Sequence, residues 1–538
     1  MSLKNNTAEL REKSFYYSLL LFVIVLPFSE AFVSIAGAIL FLQSLLFQPI
    51  TDLKKSLSRH KSVFYILAIF GVYLLGMLHT RDFALSMYEL KKAAFWIVIP
   101  LGIVLSPRLS EKRFYKVITV FCIAVTVVAI IVAIRFVFKS AFNITDFRDI
   151  SLVSHIRYSY QVALAIFCCV FLVIQGVKEN RGFKHIAVFI AIAVWLVLLL
   201  FLLKSITGII AFCGTVCFWG LYYLFAAKEK VNYWLVVILA ILVALPLLYT
   251  KSVWDDFYSV EKLDPQTVDK YTASGNPYTF NFDSQEKENG HWVQSYICSE
   301  ELRKEWNNRS DYKYDSLNSN GFSNRSTLVR YLASRGLRKD SAGVSELTEA
   351  DIKNIEQGIA NYIYVEKRFS LYPRIYETIW EYDRYKATGN PNGQSLSQRI
   401  EFVKASLEII KSNIWFGIGT GNWKAEYAKA YDELGSKLKE ENQRSSHNQY
   451  LNYIVKFGVI GFVLIMCMLL LPVFIESQER NLLLWLLMVL IGIANLGDAN
   501  LETHMGLSFF CLFYSLFLWH SPEEIKNFTF QKNRNGKI

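Results

Sequence analysis

The chain has 538 residues, 53% of them hydrophobic, and a mean hydropathy of +0.27. That balance excludes an ordinary soluble protein of this size. The formal charge of +11 would suit a nucleic-acid binder, but the basic residues recur in short clusters between apolar runs, as in membrane proteins that fix their orientation, so no nucleic-acid partner is expected.

A bilayer core is crossed by about 20 apolar residues in a helix. On that ruler the chain predicts twelve spans, at 14–28, 31–48, 63–79, 88–106, 116–138, 159–177, 186–203, 206–226, 233–250, 448–474, 482–496 and 505–519. The first run ends at "LPFSE" without a small-x-small cleavage pattern, so no removable signal peptide is expected. With Lys4, Arg11 and Lys13 in the cytoplasm, the turns "TDLKKSLSRHK", "SPRLSEKRFYK", "VKENRGFKH", "AAKEKVNY" and "ESQERN" share that side, and each carries Lys or Arg. The opposite turns are poorer in basic residues for their length, which places both termini inside. The predicted fold is therefore an all-α integral membrane protein of about 12 transmembrane helices with one large, mainly helical outer loop domain. Its predicted parts are a nine-helix region at 1–250, the loop at 251–446 and a three-helix region with a cytoplasmic tail at 447–538.

Within the loop, "TEADIKNIEQGIANYIY" opens with a capping box from Thr348 to Asp351. Near its end, at about 397–412, Ile400, Val403, Leu407 and Ile410 recur at helical spacing, while Lys404, Glu408 and Lys411 face away. This predicts an amphipathic helix lying at the membrane surface or under the loop domain. Seven of the eight cysteines lie in apolar runs and are expected to pack as small hydrophobes. Cys298 alone is in the polar loop, which excludes a disulfide within it. No cysteine pair has zinc-site spacing, and no metal or other cofactor is expected.

The candidate chemistry gathers at outer turns. In "SSHNQYLNYIVKFGVIGFV", Ser446 and Gln449 have capping-box spacing, which would make His447 the first helical residue. The positive helix end would then keep the ring neutral and able to accept a proton from a hydroxyl. The plainer reading is a solvated interfacial histidine. Gly458 and Gly461 predict close helix packing. Arg399, in the first turn of the surface helix, could grip a phosphate or simply pair with Glu401 or Glu408. Lys204 in "LLKSITGII" and His155 and Arg157 in "SHIRYSYQ" share the outer layer, as charge donors or as interface anchors. "GIGTGN" at 417–422 follows no strand and is read as a turn between helices, with amides still free to touch a phosphate. Glu30, Asp255, Asp256, Asp498 and Glu502 are acidic candidates for a metal-dependent enzyme, or partners for basic groups. A transporter would need ionisable residues deep within spans, and few are evident.

The combination of "SQRIEFVKASLEIIKSNIWFGIGTGNW", "SSHNQYLNYIVKFGVIGFV" and "LETHMGLSFFCLFYSLF" resembles the O-antigen ligase family, in its variants from Bacteroidetes-type bacteria. The resemblance is best over about residues 330–518. It implies a multi-pass enzyme of the bacterial inner membrane whose loop and active site face the periplasm. The donor would be a glycan on undecaprenyl diphosphate, and the acceptor a sugar hydroxyl, in a ligase that of lipid A–core. The related activities are polymerisation of lipid-linked repeats and protein O-oligosaccharyl transfer. By resemblance, His447 is the catalytic histidine and Arg399 the loop arginine that binds the diphosphate. A second family arginine lies in a Ser-Arg-x-Gly pattern. Here "SITG" puts Ile206 at that place, so Lys204, with Arg157 in reserve, is expected to restore the charge. Asn448, Gln449, His155 and Glu502 are expected to support the site. Transfer is expected to be metal-independent and inverting.

Overall fold

The computed structural model describes residues 2–46, 49–138, 142, 147–226 and 233–523. It is 71% helical, and among the described residues a two-stranded pairing joins Lys287–Glu288 to His291–Trp292. The chain divides into two compact units, residues 1–239 with 399–538, and residues 240–398.

Helices occur at all twelve predicted segments of the sequence, but among the described residues six are long and apolar enough to cross a membrane. These are Glu111–Val137, His155–Lys178, Phe183–Leu202, Ile206–Leu224, Tyr233–Tyr258 and Gln449–Ile475. The others fall short for physical reasons. Ser2–Val25 begins with a polar stretch, and Leu482–Ala494 has only 13 residues. The segment expected at 88–106 breaks into Phe83–Ala93 and Phe95–Val104, with Glu89, Lys91 and Lys92 in the first piece.

In the first unit, His504–His520 is the central element. It is buried from Met505 to His520 and packs against Phe95–Val104, Leu482–Ala494 and Glu30–Leu46. A helix that is apolar all round, "MGLSFFCLFYSLFLW", has no polar face to give to water, so it belongs inside. Outer helices such as Phe183–Leu202 expose Ile190, Val194 and Leu198, the pattern of a lipid-facing surface.

The Gln449–Ile475 helix is broken at Gly458, where φ is 67° and ψ is −177°. A Cβ there would lie 2.1 Å from the Trp415 carbonyl oxygen. The expectation that Gly458 serves helix–helix packing is thus corrected: it admits another stretch of backbone. Residues 414–419 lie along the break, with Ile418 N–H donating to Val455 O at 2.9 Å, Gly419 N–H to Lys456 O at 2.9 Å and Val459 N–H to Ile414 O at 2.8 Å. Gly417, at φ 69°, faces the same gap, where a Cβ would meet Lys456 O at 2.5 Å.

The helix predicted near 397–412 runs Ser395–Ser412. Its buried side is Phe402, Ala405, Ser406 and Ile409. Val403 and Leu407, from the predicted apolar face, are exposed, as are Ile414, Trp415 and Phe416. Both sides of the helix are therefore apolar, one packed on protein and one open.

The second unit is built differently. Short capped helices surround a core that includes Trp306, Leu328, Leu332 and Ile355. The predicted capping box of Thr348 and Asp351 is present at the start of Glu349–Glu356. Arg330 donates to buried Glu288 at 2.6 and 2.8 Å, and Asn361 donates to the same carboxylate at 2.7 Å.

Candidate functional site

His447 stands at the mouth of the broken helix but does not open it. Asn448 is the N-cap, its side chain accepting from Tyr450 N–H at 3.0 Å and Leu451 N–H at 3.1 Å. The Ser446–Gln449 box does not form. The Ser446 hydroxyl accepts from Asn448 N–H at 3.1 Å, while Gln449 Oε1 accepts from Leu501 N–H at 2.8 Å. Asparagine is as good a cap as serine, and it stands one residue from the helix. His447 lies before the cap and is not the first helical residue.

What faces the ring is a carboxylate. His447 Nδ1 lies 3.6 Å from Asp498 Oδ1, with the histidine side chain 44% exposed and the aspartate 8%. The Phe402 ring backs the imidazole at a centroid distance of 5.6 Å. Burial alone would raise the Asp498 carboxyl above the ordinary value. His447, Arg157 and Arg399 outweigh it and hold the group low and ionised. Tyr160 stands within electrostatic reach of Asp498, Arg399 and Arg157. The structure thus gathers His447, Arg399 and Arg157 around one buried carboxylate. Arg157 also lies 3.9 Å from Glu30.

Two sets of contacts fix this arrangement. The Trp423–Glu433 helix pins the chain entering His447: Tyr427 Oη accepts from Ser446 N–H at 3.1 Å, and the Tyr431 hydroxyl donates to Arg444 O at 2.6 Å. The start of the broken helix holds the loop that carries Asp498. Asn448 Nδ2 donates to Leu496 O at 3.1 Å and Gln449 N–H to Asn495 O at 2.9 Å. One turn on, Asn452 Nδ2 donates to Glu502 Oε2 at 3.2 Å. Lys456 Nζ, 3% exposed, then meets Glu502 at 2.8 Å and Glu89 at 3.1 Å, and Lys92 meets Glu89 at 2.7 Å. Asn448, Gln449 and Glu502 therefore contact elements around the site rather than His447 itself.

Lys204 lies in the turn before Ile206–Ala226, in the left-handed region at φ 50°. That turn packs close to the site: Ser205 Oγ is 3.1 Å from Ser159 Oγ, beside Tyr160, and a Cβ on Gly497 would meet Thr207 at 2.9 Å. His155 opens the helix that carries Arg157. Glu401 and Glu408 take Lys404 at 2.9 Å and Lys411 at 2.6 Å.

The "GIGTGN" turn sits between two helices, as expected, but its amides from Gly417 to Gly421 are occupied. Ile418 and Gly419 bond the broken helix, Thr420 N–H donates to Gly76 O at 3.1 Å, and Gly421 N–H to Thr80 Oγ1 at 3.0 Å. The amides of residues 417–421 are thus taken within the protein.

Sequence reading missed two things. Asp498 was one acid among five, and only the fold shows that it faces His447. Lys456 and Glu89 correct the view that few ionisable groups lie inside the helices. A lysine in "YIVKFGVIGFV" demands a carboxylate partner, and that was the available signal.

These features define a class: a multi-pass membrane protein with its polar chemistry gathered where a membrane helix begins. Residues 362–466 match the family model described as O-antigen ligase, which supports assigning the chain to the O-antigen ligase family. Arg399 and His447 lie inside the match, and Arg157 and Asp498 outside it. The match supports a membrane enzyme of the O-antigen ligase/polymerase type, working between a lipid-linked glycan donor and a glycan acceptor. No curated protein matches the chain.

Proposed function

We propose that this protein moves a glycan from undecaprenyl diphosphate to a sugar hydroxyl of lipid A–core at the periplasmic face of the bacterial inner membrane. The observation that carries the reading is the half-exposed His447 ring beside the buried Asp498 carboxylate, with two arginines in electrostatic reach. Asp498 orients Nδ1 and leaves Nε2 for the acceptor hydroxyl, the division of labour by which a carboxylate fixes a catalytic imidazole. The hydroxyl oxygen attacks the anomeric carbon as its proton passes to Nε2. The bond from that carbon to the diphosphate oxygen breaks, and the leaving group departs with the electron pair. Arg399 and Arg157, with Lys204 on the adjoining turn, offset the charge that builds on the diphosphate. One displacement inverts the sugar, and the balance needs no metal.

The surface helix supports the donor class. Arg399, Val403 and Leu407 stand four residues apart and so share one face. A cation at the head of an exposed apolar stripe suits a diphosphate on a polyprenyl tail.

The test is to replace His447 or Arg399 with alanine and examine the lipopolysaccharide, with membrane insertion followed in parallel. Loss of long glycan from lipid A–core, with lipid-linked polymer retained, is expected. A single repeat capped on the core would instead mean a polymerase, and underglycosylated proteins with normal lipopolysaccharide a protein ligase. Full transfer by His447→Ala would overturn the mechanism.

A further inference from the structure

The His447 cluster lies at the His504 end of the central helix, through the loop of Asp498 and Glu502. The other end of that helix, 17 residues and so about 25 Å away, closes on a cavity of about 590 Å³. Its wall carries the cations Arg11, Lys55, Arg59 and Arg108 and the apolar side chains Val104, Leu518 and Trp519.

The acidic groups in this wall are already engaged. Asp52 pairs with Arg11 at 3.2 Å, Glu12 with Arg113 at 2.5 Å, and Glu476 with His60 at 2.9 Å and with Ser62. His520 adds no charge: its Nδ1 accepts from Leu109 N–H at 3.2 Å, which fixes a neutral ring with Nε2 directed at Ile103 O. Among the described residues no carboxylate pairs with Lys55 or Arg59, and Arg108 meets only the well-exposed Glu523 at 3.2 Å. Ser110, also in the wall, precedes the 27-residue Glu111–Val137 helix and makes no side-chain cap, so the amides of that helix's first turn are available beside the cations. Helix amides and arginines together are an anion site.

Lys55 and Arg59 belong to the short helix Ile50–Arg59, which lays Leu53 and Leu57 on the hydrophobic core. One apolar face and one basic face is the build of a helix lying in a membrane interface. The cavity opens where such a helix meets the ends of membrane helices, and its volume falls in the range that holds small ligands.

We propose that this cavity binds the phosphate ester of an anionic phospholipid headgroup, in the leaflet opposite the candidate transfer site. The cations and helix amides take the phosphate, and Val104, Leu518 and Trp519 take the first carbons behind it. The site is separate from glycan transfer and does not rest on that reading.

The full-length protein, in micelles holding equal amounts of phosphatidylglycerol and phosphatidylcholine, is examined by native mass spectrometry for retained lipid. Preferential retention of phosphatidylglycerol is expected, weakened about thirty-fold in Lys55→Gln/Arg59→Gln, from about fivefold per cation. Arg108→Gln gives a second, independent reduction, and thermal unfolding confirms that each variant is folded. Equal retention of the two lipids, or a preference unchanged in folded variants, overturns the proposal. An excess of glycerol 1-phosphate separates the sources: weak competition supports a lipid, and displacement as complete as that by the lipid itself overturns the lipid assignment in favour of a soluble phosphate ester.

Discussion

Two charged clusters hang on the helix that begins at Gln449, and they are built to opposite plans. At its mouth, His447 meets Asp498 at 3.6 Å with the ring nearly half exposed. Two turns in, Lys456 is enclosed between Glu89 and Glu502 at hydrogen-bonding distance. The inner cluster is closed: its charges are mutually satisfied and sealed from water. The outer one is left loose and open on one side. Closed ion clusters specify structure, whereas open ones can exchange a proton with a visitor. The same loop, residues 495–502, serves both, carrying Asp498 to the outer cluster and Glu502 to the inner one.

This contrast is broken most sharply at His447. His447→Ala is expected to lower glycan transfer by about 10³-fold, the middle of the range for a lost proton acceptor. Thermal unfolding should stay put, since an exposed side chain outside the helix cap is removed. A parallel fall in unfolding temperature would show that the outer cluster is structural too.

Next comes Lys456→Met, which keeps the bulk and leaves two carboxylates buried without their shared cation. Breaking a buried pair from one side costs about 3–5 kcal/mol. The variant should insert poorly or unfold early in a detergent melt. Glu89→Gln on the same background should recover part of the loss. A Lys456→Met protein as stable as the parent would contradict the closed plan.

Asp498→Asn sharpens the comparison from the other side. Asparagine fills the same space, but removes the charge that Arg157, Arg399 and His447 surround. Transfer should fall by about 10²-fold, with His447 still present but less firmly oriented. Donor binding should hold or tighten, because the arginines lose a competing anion. Unchanged transfer would remove Asp498 from the mechanism.

Much of this was legible in the sequence, and the failures have a pattern. Helices stand at every predicted segment, because runs such as "MGLSFFCLFYSLFLW" leave no other way to bury so much apolar surface. Whether such a run faces lipid or protein is a tertiary matter, and His504–His520 proved to be interior. The polar residues now gathered around Asp498 sat where a titratable ring and arginines flank apolar runs. Their partners did not, since Asp498 reaches His447 across 51 positions of chain. The cap was misread because Ser446 and Asn448 are both good caps, and Asn448 is the one that stands next to the helix. Gly458 was misread because a helical frame hides the one residue that leaves it. The side of Ser395–Ser412 that packs on protein, with Phe402 and Ala405, was not singled out because both sides are apolar, and periodicity alone cannot choose.

The second unit offers the smallest effect and the cleanest contrast with these membrane clusters. Its charges work as caps on short helices. Asp351 accepts from Thr348 N–H at 3.0 Å and from Arg335 at 2.8 Å, and also from the Tyr331 hydroxyl. Burial would raise this carboxyl, but those donors pull it down to about 2. Because the folded value lies below that of the unfolded chain, the stabilisation is whole above about pH 4 and drains away as pH falls toward 2. Thr348→Ala removes the hydroxyl that caps the helix from the other side and should cost about 1 kcal/mol at neutral pH. The loss should appear as weaker amide-exchange protection confined to Glu349–Glu356, with glycan transfer intact. Protection lost equally from the Gln449–Ile475 helix would mean that the two kinds of charge share one fate, and that the division between capped loop helices and sealed membrane clusters is not real.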